Sequence, residues 1–147
     1  MRARERESRL AGVQLFSACS SKELGDVRRL GTELCVPAGS VLAREGASVR
    51  EFVVLLSGSV VDGRGSTPGG ATWFGEDVLL SGRRWDQTIV VSSEARVLVF
   101  DARSFSTMLD RVPSVARWLL GDALTRLAEG EPRPARVRAM RLRPASA

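Results

Sequence analysis

The sequence lacks several residue types on which common enzyme and metal sites depend. Its 147 residues include no histidine, no tyrosine and no asparagine. The absence of histidine excludes Ser-His-Asp and Cys-His catalysis, together with imidazole-ligated metal sites. The absence of asparagine excludes N-glycosylation.

Cysteines are few and long apolar runs are missing. Cys19 and Cys35 are the two cysteines, and their separation matches no metal or redox spacing. We therefore expect two buried, reduced thiols. The longest apolar run, 52–56, has the length of a strand and is too short to cross a membrane. The basic N-terminus lacks the apolar stretch of a signal peptide, so a cytoplasmic protein without membrane association is expected.

Positive charge is concentrated at the two ends of the chain. Residues 1–10 have a net charge of +2 and residues 131–147 a net charge of +4, against +5 for the whole. We predict a disordered arm (1–10), one folded domain (11–130) and a disordered Arg/Pro-rich tail (131–147). Five arginines without an accompanying aromatic or structured element do not predict sequence-specific DNA binding.

Helical and strand patterns alternate along the folded part. Ser20-x-x-Glu23 is a capping box. It is followed by apolar residues at helical spacing that predict a helix reaching Leu34 and ending before Pro37. Period-two alternation and glycine corners from 40 to 61 predict short strands of a barrel or sandwich. Residues 62–71 read as a flexible loop, because they are rich in glycine, serine and proline.

The second half returns from strands to helices. Residues 88–93 and 96–100 predict two strands joined as a hairpin through Ser93-Glu94-Ala95. Helical periodicity resumes at Ser104, and Pro113 suits the first position of a long helix over 114–128. The Glu129-Gly130 pair and the prolines beyond it end that helix.

Three segments resemble the cyclic-nucleotide-binding domain, the sensor half of catabolite-activator-type regulators. They are the opening Leu15-Phe16 with 20–24, the glycine-framed strands of 37–60, and Phe74-Gly75-Glu76 with 78–80. The resemblance implies a mainly β fold with flanking helices. Its β-roll (a jelly roll, or double-stranded β-helix) has an N-terminal helix, a short helix in the phosphate-binding cassette and a long C-terminal helix.

The resemblance assigns roles to the cassette residues. Gly75 lets the backbone approach the ligand and Glu76 accepts a hydrogen bond from the ribose 2′-hydroxyl. The backbone N–H groups of Asp77 and Val78 face the phosphate at a helix N-terminus. The competing interpretation is that Gly75-Glu76 is only a turn and helix cap.

This sequence departs from the family where an arginine should pair with the phosphate. Counted back from Thr88, which stands where the family has a threonine, that position falls on Trp85, or on Asp86 if one residue more is allowed. A loop of different length would bring Arg83 or Arg84 there. Losing a buried charged partner costs about 2–5 kcal/mol, so weak or altered binding of cAMP or cGMP is expected. The implied ligand-binding residues are Gly75, Glu76, Asp77, Val78, Arg84, Trp85, Asp86, Gln87 and Thr88.

The C-terminal helix carries apolar residues on more than one face. By resemblance, a surplus stripe predicts a homodimer, although the helix could also fold entirely onto its own domain. The stripe comprises Ala116, Leu119, Ala123 and Leu127. In the family this helix also contacts the base, and the polar candidates are Asp122, Thr125 and Arg126. Because the chain ends where family transcription factors continue into a helix-turn-helix, DNA recognition is not expected.

Two functions remain open. The first is a non-catalytic regulatory sensor, in which ligand binding repositions the C-terminal helix. The alternative is a ligand-independent dimerisation or interaction module of the same fold. An enzyme on a related β-roll, such as a cupin, is disfavoured because those sites gather histidines around a metal. No metal or cofactor is expected, with a cyclic nucleotide as the implied ligand.

Overall fold

The fold packs helices from the two ends of the sequence together on one face of a five-stranded sheet. The computed structural model describes residues 10, 12–48, 50–62, 73–85 and 87–130. The predicted tail and all of the predicted arm except Leu10 lie outside these residues. The elements in chain order are a 3-10 turn (Gln14–Phe16), α1 (Ser21–Leu30), β1 (Thr32–Val36), β2 (Val41–Ala43), β3 (Glu51–Asp62), β4 (Trp73–Phe74), α2 (Glu76–Ser81), β5 (Ile89–Asp101), α3 (Ala102–Arg111) and α4 (Pro113–Ala128).

Strand β5 is the centre of an antiparallel sheet. It pairs with β1, β2 and β3, and β3 also pairs with β4. The β3–β5 ladder runs from Glu51 opposite Asp101 to Asp62 opposite Ile89, with register shifts around residues 55–60. Gly58 allows the bend there, because its φ is +87° and a Cβ would lie 2.3 Å from the Glu94 carbonyl oxygen. The mainly β architecture with flanking helices is the predicted β-roll.

The predicted hairpin at Ser93-Glu94-Ala95 is wrong. These residues lie within the continuous strand β5, where Ser93 pairs with Ser59 of β3 and Ala95 with Val36 of β1. The polar residues that suggested a turn are instead the exposed part of β5 beside the Gly58 bulge. Ser59 Oγ lies 2.7 Å from the hydroxyls of both Ser92 and Ser93 at this point.

Helix α1 is confirmed at its start but ends earlier than predicted. Ser20 and Glu23 form the capping box, with both reciprocal hydrogen bonds present. The helix stops at Leu30 because the chain passes tightly over the sheet at Gly31, where a Cβ would lie 2.7 Å from Leu98 Cγ. Leu34 therefore belongs to β1, where 47% of it is exposed.

The C-terminal helices form as predicted. Helix α3 begins after Asp101, whose carboxylate accepts a 2.7 Å hydrogen bond from the Ser104 N–H. Pro113 occupies the first turn of α4, and the helix ends at Ala128. The Ser114 hydroxyl donates to the Glu23 carboxylate at 3.0 Å, which joins the start of α4 to the start of α1.

Two apolar cores lie on the two faces of the sheet. Alternation along β3 separates them, because Phe52 and Val54 face one core while Val53 and Leu55 face the other. The helical core joins the sheet to the helices, and Phe52 stacks there on Phe105 with ring centroids 4.9 Å apart. The roll core comprises Ala43, Val53, Leu55, Val60, Phe74, Val78, Trp85, Ile89, Val91, Ala95 and Val97.

Candidate functional site

The turn from β4 into α2 has a geometry that only glycine can adopt. Gly75 is the N-cap of α2, in the left-handed region with φ +108°. A Cβ on this residue would lie 2.2 Å from the Glu51 carbonyl oxygen. The close approach of the two backbones, together with the left-handed φ, explains the glycine. It fixes α2 against the first residues of β3.

Glu76 begins α2 and points into the fold. Only 4% of it is exposed, and the residues two before and two after it, Phe74 and Val78, belong to the roll core. At the other end of the helix, Arg50 Nη2 donates a 2.8 Å hydrogen bond to the Leu79 carbonyl. The structure therefore places the predicted sugar-binding carboxylate inside the roll. The helix that carries it contacts Glu51 of β3 at its start and Arg50, the residue before β3, near its end.

Asp77 places a carboxylate in the first turn of α2. The Val78 N–H, one of the two groups assigned to the phosphate, donates a 3.0 Å hydrogen bond to Asp77 Oδ1. A carboxylate of the chain itself thus lies where an anionic ligand group would accept. A carboxylate in the first turn also interacts favourably with the helix dipole.

Trp85 points into the roll. It is 7% exposed, and its ring meets Phe74 edge to face with centroids 6.1 Å apart. Two backbone hydrogen bonds hold it against the turn after β2: the Gly46 N–H donates to the Trp85 carbonyl at 2.7 Å, and the Trp85 N–H donates to the Ala47 carbonyl at 3.2 Å. At the first position assigned to the arginine there is a packed indole.

The polar residues near Trp85 in the sequence differ in their exposure and in their hydrogen-bond partners. Arg84 is exposed, and its Nη1 donates to the Gly46 carbonyl at 3.1 Å. Arg83 is exposed as well. Thr88 Oγ1 accepts a 3.0 Å hydrogen bond from the Glu45 N–H. Asp86, the second position assigned to the arginine, lies outside the described residues.

Asp62 and Gln87 are also buried polar residues, and Asp62 was not among the predicted site residues. They are 3% and 8% exposed, and with Glu76 they are the buried polar or charged residues of the described chain. Asp62 lies two residues beyond Val60 and pairs with Ile89, while Gln87 lies two residues before Ile89. Both thus continue the inward face of their strands. Asp62 was predicted to begin a loop, although the alternation through Val60 could have placed it in β3.

Helix α4 carries the predicted base contacts, Asp122, Thr125 and Arg126. Asp122 and Arg126 pair with each other, with Arg126 Nε 3.2 Å from Asp122 Oδ2. Thr125 is exposed. The helix packs against α3 and the 3-10 turn, and Trp118 meets Trp73 edge to face at 5.1 Å. The assignment of these three residues to a base stays a prediction.

The predicted dimer stripe needs a correction at Leu119. That residue is 7% exposed and lies in the helical core, so it packs onto its own domain. Ala116 and Ala123 are half-buried. The exposed leucines of α4 are Leu120, Leu124 and Leu127, which are 56–72% exposed.

The cysteines also differ from expectation, since neither is fully buried. Cys19 is half-buried and Cys35 is exposed on β1, and both are free. Partial burial, assisted by the charge of Glu23, raises the pKa of the Cys19 thiol to about 11. Among the described residues, no cluster of His, Cys, Asp and Glu could hold a metal, and no helix is long and apolar enough to span a bilayer.

Known proteins share this sequence pattern and this fold. The chain is 28% identical over 120 residues to a cyclic nucleotide-gated potassium channel of Rhizobium etli, covering 80% of the chain but 34% of the channel. The catabolite activator protein of Thermus thermophilus superimposes with a TM-score of 0.68 at 21% identity, covering 79% of this chain and 59% of that one. The regulatory domain of Toxoplasma gondii PKA, solved with cAMP, gives 0.66 at 19% identity, covering 84% and 50%. The family model of the cyclic nucleotide-binding domain matches residues 33–112, more than half of the sequence. On that match, together with the β-roll and the Gly75-Glu76 turn, the chain belongs to the cyclic nucleotide-binding domain family.

Proposed function

We propose that this chain is a non-catalytic regulatory domain in which cyclic nucleotide binding is weak or altered. The observation that carries the proposal is the inward, packed position of Trp85. An arginine at this position would offer a planar, permanently charged fork to the phosphate, whereas an indole offers no charge. Removing the charged partner of a buried anion costs about 2–5 kcal/mol, which corresponds to roughly thirtyfold to several-thousandfold in affinity.

The first turn of α2 supports the same proposal. Because the Asp77 carboxylate already accepts from the Val78 N–H, a phosphate would have to displace it and then lie beside it. Like charges at short range disfavour binding. The retained Gly75 turn and the buried Glu76 keep the shape of the cassette, so the alteration concerns the charge of the site.

Calorimetry with cAMP and cGMP tests the proposal directly. We expect no saturable heat at micromolar ligand for the wild type. Asp77→Leu combined with Asp86→Arg should bring binding into that range, because it removes an anion and supplies a cation without disturbing the buried indole. Trp85→Arg combined with Asp77→Leu tests the first assigned position, and Trp85→Phe is its uncharged control.

Two results would contradict the proposal. One is micromolar binding by the wild type that Glu76→Gln abolishes. The other is failure of every folded arginine variant to gain affinity, since the missing cation would then not be the cause. Thermal unfolding of each variant shows which of them are folded.

The exposed leucines of α4 favour a second function, association through this helix. Leu120, Leu124 and Leu127 recur at i, i+4 and i+7, which is the spacing of a helix-pairing seam. We infer that a second copy of the chain covers them. Leu124→Glu should then shift sedimentation equilibrium from dimer to monomer, whereas Leu80→Glu, at a leucine exposed on α2, should not. A wild type that is monomeric at high micromolar concentration would exclude this association.

A further inference from the structure

A cavity lies beside Trp85, and none of the cassette residues Gly75 to Val78 lines it. Its volume is about 380 Å³, and its walls are the three residues of β2 together with Arg44, Ala47, Glu51 and Trp85. This volume falls within the range of small-molecule sites in proteins, which are mostly apolar with a few polar groups that fix orientation.

Hydrogen bonds hold the walls in place. Besides the two backbone bonds between Trp85 and the 46–47 turn, the Glu45 N–H donates to Thr88 Oγ1 and Arg84 donates to the Gly46 carbonyl. Four hydrogen bonds thus join the turn after β2 to the 84–88 segment. A hollow whose sides are tied together in this way is pre-organised, which lowers the entropic cost of binding.

Two residues of opposite charge are among those that line this apolar hollow. Arg44 is exposed, and Glu51 is half-buried at the first position of β3. Among the residues that the structure describes, neither side chain makes a hydrogen bond or an ion pair with another. Of the charged residues described at this cavity, a half-buried Glu51 and an exposed Arg44 thus offer one negative and one positive group to a ligand.

We propose that this cavity binds a small zwitterion with an apolar side chain, of the α-amino acid class. The ammonium group pairs with Glu51, the carboxylate pairs with Arg44, and the side chain packs on the Trp85 indole and the β2 aliphatics. A free cyclic nucleotide fits less well, because its net negative charge leaves Glu51 facing an anion. Of the residues assigned to the nucleotide, this cavity shares Trp85 and none of Gly75 to Val78, so the inference does not depend on whether a nucleotide binds at those four residues.

Calorimetry on the full chain with phenylalanine and leucine tests the inference. Phenethylamine lacks the carboxylate and 3-phenylpropionate lacks the ammonium group, so each reports one charge contact. We expect saturable binding of at least one amino acid. Each half-ligand should bind at least about tenfold more weakly, since a charged hydrogen bond contributes on that scale.

Charge-deleting variants complete the test. Glu51→Gln and Arg44→Gln should each weaken amino-acid binding by at least about tenfold. The matched control Arg103→Gln, at an exposed arginine of α3, should leave it unchanged. Unfolding curves that match the wild type show that a loss of binding is not a loss of fold.

Three outcomes would overturn the inference: no saturable heat with any amino acid tested, binding that is indifferent to both charge deletions, or half-ligands that bind as well as the parent. Cyclic AMP is titrated in parallel. Nucleotide binding that depends on Glu76 but not on Glu51 would contradict the proposed function alone. Nucleotide binding that depends on Glu51 and Arg44, without amino-acid binding, would overturn the inference and assign the cavity to the nucleotide.

Discussion

The two short helices α1 and α2 begin in different ways. At α1 the chain supplies its own capping groups, because Ser20 accepts from the Glu23 N–H and Glu23 accepts from the Ser20 N–H. At α2 the N-cap is a glycine with no side-chain cap, and its position is set by contact with the backbone of β3. The first terminus is thus built from side chains and the second from a backbone fit.

The difference lies in which groups satisfy the N–H groups of the first helical turn. Capping by Ser20 and Glu23 satisfies donors within the chain, which stabilises α1 but leaves little for a ligand. A glycine cap supplies no side-chain acceptor for the first N–H groups of α2, and anion-binding helix termini also have N–H groups without a side-chain partner. In this chain Asp77 then accepts from one of them, so an acidic group is already present in the first turn of α2.

Among the changes that test this comparison, substitution of Gly75 should have the largest effect on the free energy of unfolding. Gly75→Ala should lower the free energy of unfolding by about 2–4 kcal/mol, because the methyl group meets the Glu51 carbonyl and the φ is left-handed. Gly82→Ala, at the other end of α2, shares the positive φ (+73°) but has no atom within 4 Å, so it should cost only about 1 kcal/mol. Urea unfolding measures both, and equal losses would show that the backbone fit at Gly75 is not special.

The reactivity of the Cys19 thiol tests the surroundings of the α1 N-terminus. A helix N-terminus usually lowers the pKa of a nearby thiol, yet burial and the Glu23 charge raise that of Cys19 from 9.0 to about 11. At pH 8 its thiolate fraction should be about a hundredfold smaller than that of an unperturbed thiol. Mass spectrometry after brief iodoacetamide treatment should therefore find Cys35 labelled well before Cys19. Equal labelling would contradict the burial of Cys19.

The pH dependence of stability should show a smaller effect of Glu23. Its hydrogen bond with the Ser20 backbone, followed by that with Ser114, lowers the pKa of the Glu23 carboxyl in the folded state. A lowered folded-state pKa contributes stability above the unfolded value of about 4.3, and that stability is lost as pH falls through the folded-state pKa. Because the side chain is largely solvated, the change should be a few tenths of a kcal/mol.

Glu23→Gln isolates this contribution. The wild type should lose more stability than the variant between pH 5 and pH 3, as measured by thermal unfolding. Asp101 should contribute in the same direction, since its hydrogen bond with the Ser104 backbone also lowers its pKa. Parallel pH profiles for wild type and variant would show that the capping box does not titrate as proposed.

The sequence predicts features that depend on neighbouring residues better than those that depend on distant ones. The capping box at Ser20 and the proline start of α4 follow local rules, and both are confirmed. The β-roll was also predicted, because the glycine and apolar pattern of the family extends over most of the chain. The end of α1 was missed, since Gly31 turns there to fit under Leu98, which lies far away in sequence.

The direction in which side chains point was the second feature that the sequence did not predict. Ser93 and Glu94 look like part of a turn because they are polar, but they lie at the bend in the β3–β5 ladder, which exposes them without ending β5. The burial of Trp85 could not be predicted from its neighbours either, because it depends on the turn after β2, some forty residues earlier in the chain. On α4, the packing of Leu119 into the helical core could not be separated by sequence from the exposure of its neighbour Leu120.

Residues 50 to 52 contact both ends of α2, through the carbonyl beside Gly75 and through the Arg50 guanidinium on Leu79. A movement of the short helix away from the start of β3 would therefore break both of these contacts. Amide hydrogen exchange should then report a single cooperative opening for α2 and the N-terminal half of β3. Any signal that this domain transmits has to leave through an element that is less firmly anchored.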